Sequence, residues 1–167
     1  TKLLCGVDAA SIVSEYTGVL SVVMPEIQQF SDVSIVSKVS NKSYLRLAAL
    51  FCAAELPTDA AIAILRRLRA DTHTIECVQK LLSCRKWPID TDADLFLLLH
   101  SLDADLIFDY FELVSVNDAI IDRVKDFLQD RACYKVSMLA VNGEDMIAAG
   151  IPVRPEIGLT LNCLLDE

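Results

Sequence analysis

Apolar residues in this chain return every three or four positions in one segment after another, and few glycines or prolines interrupt them. Leu45, Ala48, Ala49 and Cys52 stand at i, i+3, i+4 and i+7, the spacing that gathers side chains on one face of an α-helix. Only five glycines and five prolines punctuate 167 residues, too few for the turns of a many-stranded sheet. The expected fold is all-α: a multi-helix bundle or array of short amphipathic helices with a small C-terminal helical tail. With 53% hydrophobic residues the chain can bury one sizeable core.

The punctuation places the helices. Asp8 precedes a segment over Ala9 to Thr17 that Gly18 is expected to stop, and Val19 to Met24 reads as a second short helix closed by Pro25. Lys42 to Glu55 follows, and Pro57-Thr58 introduces Asp59 to Arg69 with Ile62, Leu65 and Leu68 inward. A helix after Asp71-Thr72 carries Ile75, Val78, Gln79 and Leu82 in register and ends near Arg85-Lys86, before Trp87-Pro88. From Asp90-Thr91 onward, the faces Leu95/Leu98/Leu99/Leu102, Leu106/Ile107/Tyr110/Phe111/Val114 and Ile120/Ile121/Val124/Leu128 predict three acidic-surfaced helices. Asn142, three residues before Asp145, reads as a capping-box start, Gly150 as a stop, and Pro155 as the first residue of a last helix. Gly158 within that helix costs ~1 kcal/mol relative to Ala and is expected to mark a close approach.

Charge is unevenly distributed. Formal net charge is -9, yet Lys38 to Lys86 holds nine basic residues against four acidic, while Asp90 to Asp130 holds eleven acidic against two basic. An overall acidic chain is no general coat for nucleic acid, but a local RNA-facing surface fits the basic segment. Candidates there are Arg66, Arg67, Arg69, Lys80, Arg85 and Lys86.

Familiar catalytic patterns do not occur. His73 is followed by Thr74 and His100 by Ser101, so neither forms a His-Asp pair for a metal phosphohydrolase. His73 is expected on a helix surface and His100 partly buried. No G-x-S-x-G elbow and no glycine-rich phosphate loop is present. Asp90, Asp92 and Asp94 lack the glycine and distal glutamate of a calcium loop and read as helix-starting acids. The six cysteines contain no C-x-x-C pair and are expected to be buried free thiols in a reducing, cytoplasmic compartment. No apolar run approaches the ~20 residues of a membrane span, which predicts a soluble protein without a membrane partner. The start at Thr1, without Met or a leader, suggests a piece of a longer chain.

The most specific pattern lies near the end: Leu139-Ala140-Val141-Asn142-Gly143-Glu144-Asp145, Gly150-Ile151-Pro152, and Pro155-Glu156-Ile157-Gly158 followed by Leu161, Leu164 and Leu165. It resembles the C-terminal signature of bacterial CCA-adding tRNA nucleotidyltransferases and related poly(A) polymerase-type enzymes. Gly18 to Ile27 resembles that family's apolar Pro-Glu segment beyond the neck, Leu45 to Leu50 its next helix, and Ile64 to Arg69 its leucine-arginine stretch. The resemblance implies the end of a neck-like segment over 1–30, a helical RNA-binding body over 31–135, and a truncated tail over 136–167.

It also implies a role. The chain would be the non-catalytic, tRNA-holding part of an enzyme that adds C, C and A to tRNA 3′ ends. CTP, ATP and magnesium would engage only a catalytic head outside this chain. Asn142, Gly143, Asp145, Pro155, Glu156 and Gly158 are the tail-motif residues, expected chiefly to cap helices, and no catalytic or metal-binding residue is assigned. Three departures stand out: Cys52 and Ala53 occupy the positions where many relatives have His-Asp, Arg154 replaces a glycine, and the Gly-Ser loop with paired aspartates that holds magnesium is missing. The alternative is a helical protein-interaction or dimerisation module with the same fold and no RNA binding, homodimerisation included.

Overall fold

A computed structural model describes residues 4–6, 8–129, 133, 135–150 and 155–165, and among these it contains ten α-helices and no strand. The fold is an all-α array. Its first helices are α1 (Ala9–Glu15), α2 (Thr17–Val23) and α3 (Ile35–Lys38). The chain turns at Tyr16, and the Thr17 hydroxyl donates to the Val13 and Ser14 carbonyls at 3.0 and 2.9 Å. Gly18 therefore lies inside α2 rather than stopping α1, because local side-chain hydrogen bonds redirect the chain two residues earlier.

Helix α4 (Ser43–Ala53) sits at the centre, packed against α3, α6 (Thr72–Cys84) and α7 (Asp92–Val114). A single buried face is expected from its spacing. Instead Leu45, Arg46, Leu47, Ala48, Ala49, Leu50, Phe51 and Ala53 are all buried, and Cys52 is half-buried. A helix this apolar all round belongs in an interior, with neighbours on several sides. Arg46 is only 7% exposed; its Nη1 donates to the carbonyls of Leu4 and Gly6 at 2.6 Å each, fastening the N-terminal segment to α4.

Helix α5 (Thr58–Arg67) stops two residues before the expected end. Arg69 takes a left-handed φ of 54°, its N–H donates to the Arg66 carbonyl, and the Ala70 N–H donates to the Leu65 carbonyl. This is the paired hydrogen bonding of a Schellman stop, formed without glycine. Leu68 consequently falls outside the helix and is 45% exposed rather than inward. Glu55, with φ 53°, ends α4 in the same way: its N–H donates to the Cys52 carbonyl and that of Leu56 to the Phe51 carbonyl.

Asp71 caps α6, accepting from the Thr74 N–H at 2.8 Å. Thr74, Cys77, Val78, Leu81 and Leu82 face the core, whereas Gln79 is exposed, so the buried face is rotated from the expected register. Thr91 and Asp94 form a reciprocal capping box at the start of α7. The first two of the three expected acidic helices follow one another along α7 and are separated by a break at Asp103, whose φ of 66° and ψ of 153° are non-helical. The third is α8 (Asp118–Gln129), its first turn held by Asn117.

A 3₁₀ turn (Val136–Met138), α9 (Gly143–Ala148) and α10 (Pro155–Leu165) make the tail. Here α10 packs against both α9 and the 3₁₀ turn, and the buried Met146 and Leu161 lie outside the main core cluster. Leu4, Ala9, Val13, Met24 and Ile27 belong to that main cluster, so the described residues before Phe30 contribute to the same interior as α4 to α8. Ile151 to Arg154, the entry to α10, lie outside the described residues.

Candidate nucleic-acid interface

The α5–α6 hairpin carries the six candidate cations, and its geometry divides them. The helices are joined by a short turn, so the end of α5 lies beside the start of α6, and the end of α6 beside the start of α5. Arg66, Arg67 and Arg69 occupy the turn end. Arg85 and Lys86 occupy the other, about 15 Å away along a ten-residue helix. Lys80 points to a third place, the break in α7.

Three of the six are committed to the protein. Arg67 donates from Nη2 to Glu26 Oε2 at 2.9 Å and to the Val23 carbonyl at 3.2 Å, tying the end of α5 to the turn after α2. Lys80 Nζ lies 2.8 Å from Asp103 Oδ2. Arg85 Nη1 donates to the Leu56 carbonyl at 3.0 Å. Arg66, Arg69 and Lys86 are exposed and make no side-chain ion pair among the described residues.

Arg85 and Lys86 border a hollow of about 470 Å³ that also touches Cys52, Glu55, Leu113 and Val114. The C-terminal ends of α4, α6 and α7 converge there, and helix C-termini carry partial negative charge. The two cations answer that field, which disfavours a phosphate in the same hollow. Burial pushes the Cys52 thiol above its ordinary range, with Arg85 acting in the opposite direction.

Five other polar residues of the body carry structure that sequence reasoning missed. Asp109 is 2% exposed; Lys42 Nζ and the Tyr44 hydroxyl both donate to its carboxylate at 2.7 Å. The Asp109 carboxylate raises the Lys42 ammonium, while burial, then Asp109, pushes the Tyr44 hydroxyl up to about 12. A lone acid inside Ile107-Phe108-Asp109-Tyr110-Phe111 is the sequence signal that finds this knot. Asp103 has no such signal: it accepts from Lys135 at 2.5 Å as well as from Lys80, and the two ammoniums, Lys135 foremost, hold its carboxyl below the usual range.

Of the tail-motif residues, Asn142 and Asp145 act as caps. Asn142 Oδ1 accepts from the N–H groups of Glu144 and Asp145 at 2.8 and 3.3 Å, and Asp145 Oδ2 accepts from the Asn142 N–H at 2.8 Å. A Cβ on Gly143 would meet Ile157 Cγ2 at 3.7 Å, so α9 and α10 touch there. Pro155 opens α10, and Glu156 stands exposed in its first turn. Gly158 does not mark a close approach, since a Cβ there would meet nothing within 4 Å.

The histidines and cysteines are scattered. His73 lies on the surface of α6 with its ring edge-on to Tyr44, and His100 is exposed rather than partly buried, because it falls on the outer side of α7. Cys77 and Cys84 are buried, Cys5, Cys52 and Cys133 half-buried, and Cys163 exposed, so burial covers only part of the set. Among the described residues, no group of three or more His, Cys, Asp or Glu could hold a metal, and no helix is long and apolar enough to cross a membrane. Asp92 pairs with Arg123, and Asp94 serves the Thr91 box, so these acids start α7. The chain matches no family model, no curated protein and no solved structure.

Proposed function

We propose that this chain is the tRNA-holding C-terminal part of a nucleotidyltransferase of the CCA-adding type, with the chemistry performed by a head outside it. The observation that carries this reading is the tail. The described residues of the resembling signature form one small unit, in which Asn142 and Asp145 cap α9, Gly150 ends it at a φ of 90°, and Pro155 opens α10. Ahead of it, the other resembling segments occur in the same order within one helical array.

RNA contact is made through the exposed cations that the protein does not itself use, Arg66 and Arg69 at the hairpin turn. Such contacts engage phosphate and position a folded RNA without reading its bases. Arg67 braces that turn through Glu26, whereas Lys80 and Arg85 are spent on Asp103 and the Leu56 carbonyl. The test is retention of tRNA by the chain across a salt series. Binding at low salt that weakens with added salt is expected, with the slope becoming shallower by about one for each phosphate-contacting cation removed. No tRNA retained at low salt contradicts the reading.

One observation favours a second reading, a protein-interaction module. Helix α2 has no buried residue, and Tyr16, Val19, Val22 and Val23 are 52, 58, 82 and 44% exposed. Light scattering separates the two: a dimer lost in Val22→Asp, with no tRNA affinity in either form, supports the module, and a monomer that binds tRNA opposes it.

A further inference from the structure

Between the outer flank of α6 and the first half of α7 runs a hollow of about 390 Å³, within the roughly 300–1,000 Å³ typical of small-ligand sites. Trp87, Gln79, Ser83, Ser101, Glu76 and Lys80 border it. Trp87, the chain's single tryptophan, is half-buried, its backbone N–H bonded to the Cys84 carbonyl at 2.8 Å. Among the described residues, the Trp87 indole N–H, the Gln79 amide and the Ser83 hydroxyl have no hydrogen-bond partner.

These features together select an occupant. A flat indole supplies a stacking platform, and the neutral amide and hydroxyl supply donors and acceptors at an edge. An amphipathic peptide helix would need several apolar anchors at i, i+3 and i+4, and Trp87 is the lone large apolar side chain here. Phosphate is disfavoured, since Glu76 lines the hollow and Lys80 is already held by Asp103. We propose that this hollow receives one unpaired nucleobase, stacked on Trp87 and bonded along its edge by Gln79 and Ser83. Glu76 can accept from an exocyclic amine, so adenine and cytosine are preferred over uracil. This site deepens the tRNA-holding reading and rests on it: the hairpin cations hold backbone, and the hollow holds a base that the folded RNA leaves unpaired.

The test uses Trp87 as its own reporter. Its emission is followed while the chain is titrated with short oligoadenylate, oligocytidylate and oligouridylate, with tRNA retention measured in parallel. Saturable quenching is expected, strongest with adenylate and cytidylate, and Glu76→Gln removes the preference over uridylate. Gln79→Ala and Ser83→Ala, at exposed positions that leave the fold intact, each weaken binding severalfold. Trp87→Leu, followed by anisotropy of a labelled oligonucleotide, weakens it about tenfold. If Trp87→Leu fails to fold, the Gln79 and Ser83 variants decide the matter. Retention of tRNA with Trp87 emission unchanged, or quenching indifferent to both exposed variants, overturns the base site and leaves the tRNA reading standing. No binding of any RNA overturns both.

Discussion

Two groups of basic residues in the segment from Lys38 to Lys86 look alike in sequence and behave differently in the fold. Turned towards the interior, the half-exposed Lys42 serves the buried Asp109 and the buried Arg46 holds the carbonyls of Leu4 and Gly6. At the hairpin turn, Arg66 and Arg69 face outward, exposed, with Arg67 between them drawn to Glu26. Counting cations along a sequence therefore overstates an RNA surface, because a cation already paired with protein offers little to phosphate. Structural cations should be read out by stability, and outward cations by salt-dependent binding.

The sharpest break in this contrast is Asp109→Ala. The substitution removes the acceptor of two hydrogen bonds, each worth about 1.5–3 kcal/mol to a charged group, and the sum is held down because the half-exposed Lys42 ammonium regains water. Urea denaturation is expected to show a loss of about 3 kcal/mol, with tRNA retention by the folded fraction unchanged. An effect below about 0.5 kcal/mol would mean that the knot is not structural.

Tyr44→Phe comes next, with a loss of about 1.5 kcal/mol from the bond to the Asp109 carboxylate. Tyr44 also gives a pH signature. Its folded value is raised to about 12 from 10.0, so this contribution is fully present below pH 10 and lost as pH rises towards 12, where the unfolded chain ionises first. Tyr110, raised to about 12 by burial, acts in the same direction. Denaturation midpoints are expected to fall between pH 10 and 12 in the native chain and to fall less in Tyr44→Phe.

A smaller effect of opposite sign is expected for Glu55→Gly. The left-handed backbone at φ 53° suits glycine, and relieving it stabilises the fold by about 1 kcal/mol, or about 2–4 °C in melting temperature. An unchanged or lowered melting temperature would show that the Glu55 side chain compensates for its backbone.

These stops also explain what the sequence made legible. The helical class, the helix start after Asp90-Thr91 and the Asn142-Asp145 box follow from spacing and capping chemistry, and all three are observed. The ends of α4 and α5 were hidden because Glu55 and Arg69 stand where glycine normally announces a stop. The break in α7 was legible in the change of apolar face between Leu102 and Leu106, but what fixes it was hidden, because Asp103 is held by Lys80 and Lys135, residues distant in sequence. The candidate cations were identifiable by type, but their separation to two ends of the hairpin depended on which helix each one bonds.

The smallest change in stability should accompany the most informative change in binding. Arg66→Ala with Arg69→Ala is expected to alter stability by less than about 0.5 kcal/mol, since both side chains are exposed and Ala meets the same left-handed backbone as Arg at position 69. Comparing the tRNA salt dependence of this variant with that of Lys80→Ala tests the central claim most directly. The account predicts a weaker, shallower salt dependence for the arginine variant, by about two units of slope, and an unchanged slope for Lys80→Ala. Equal losses in both variants would contradict it.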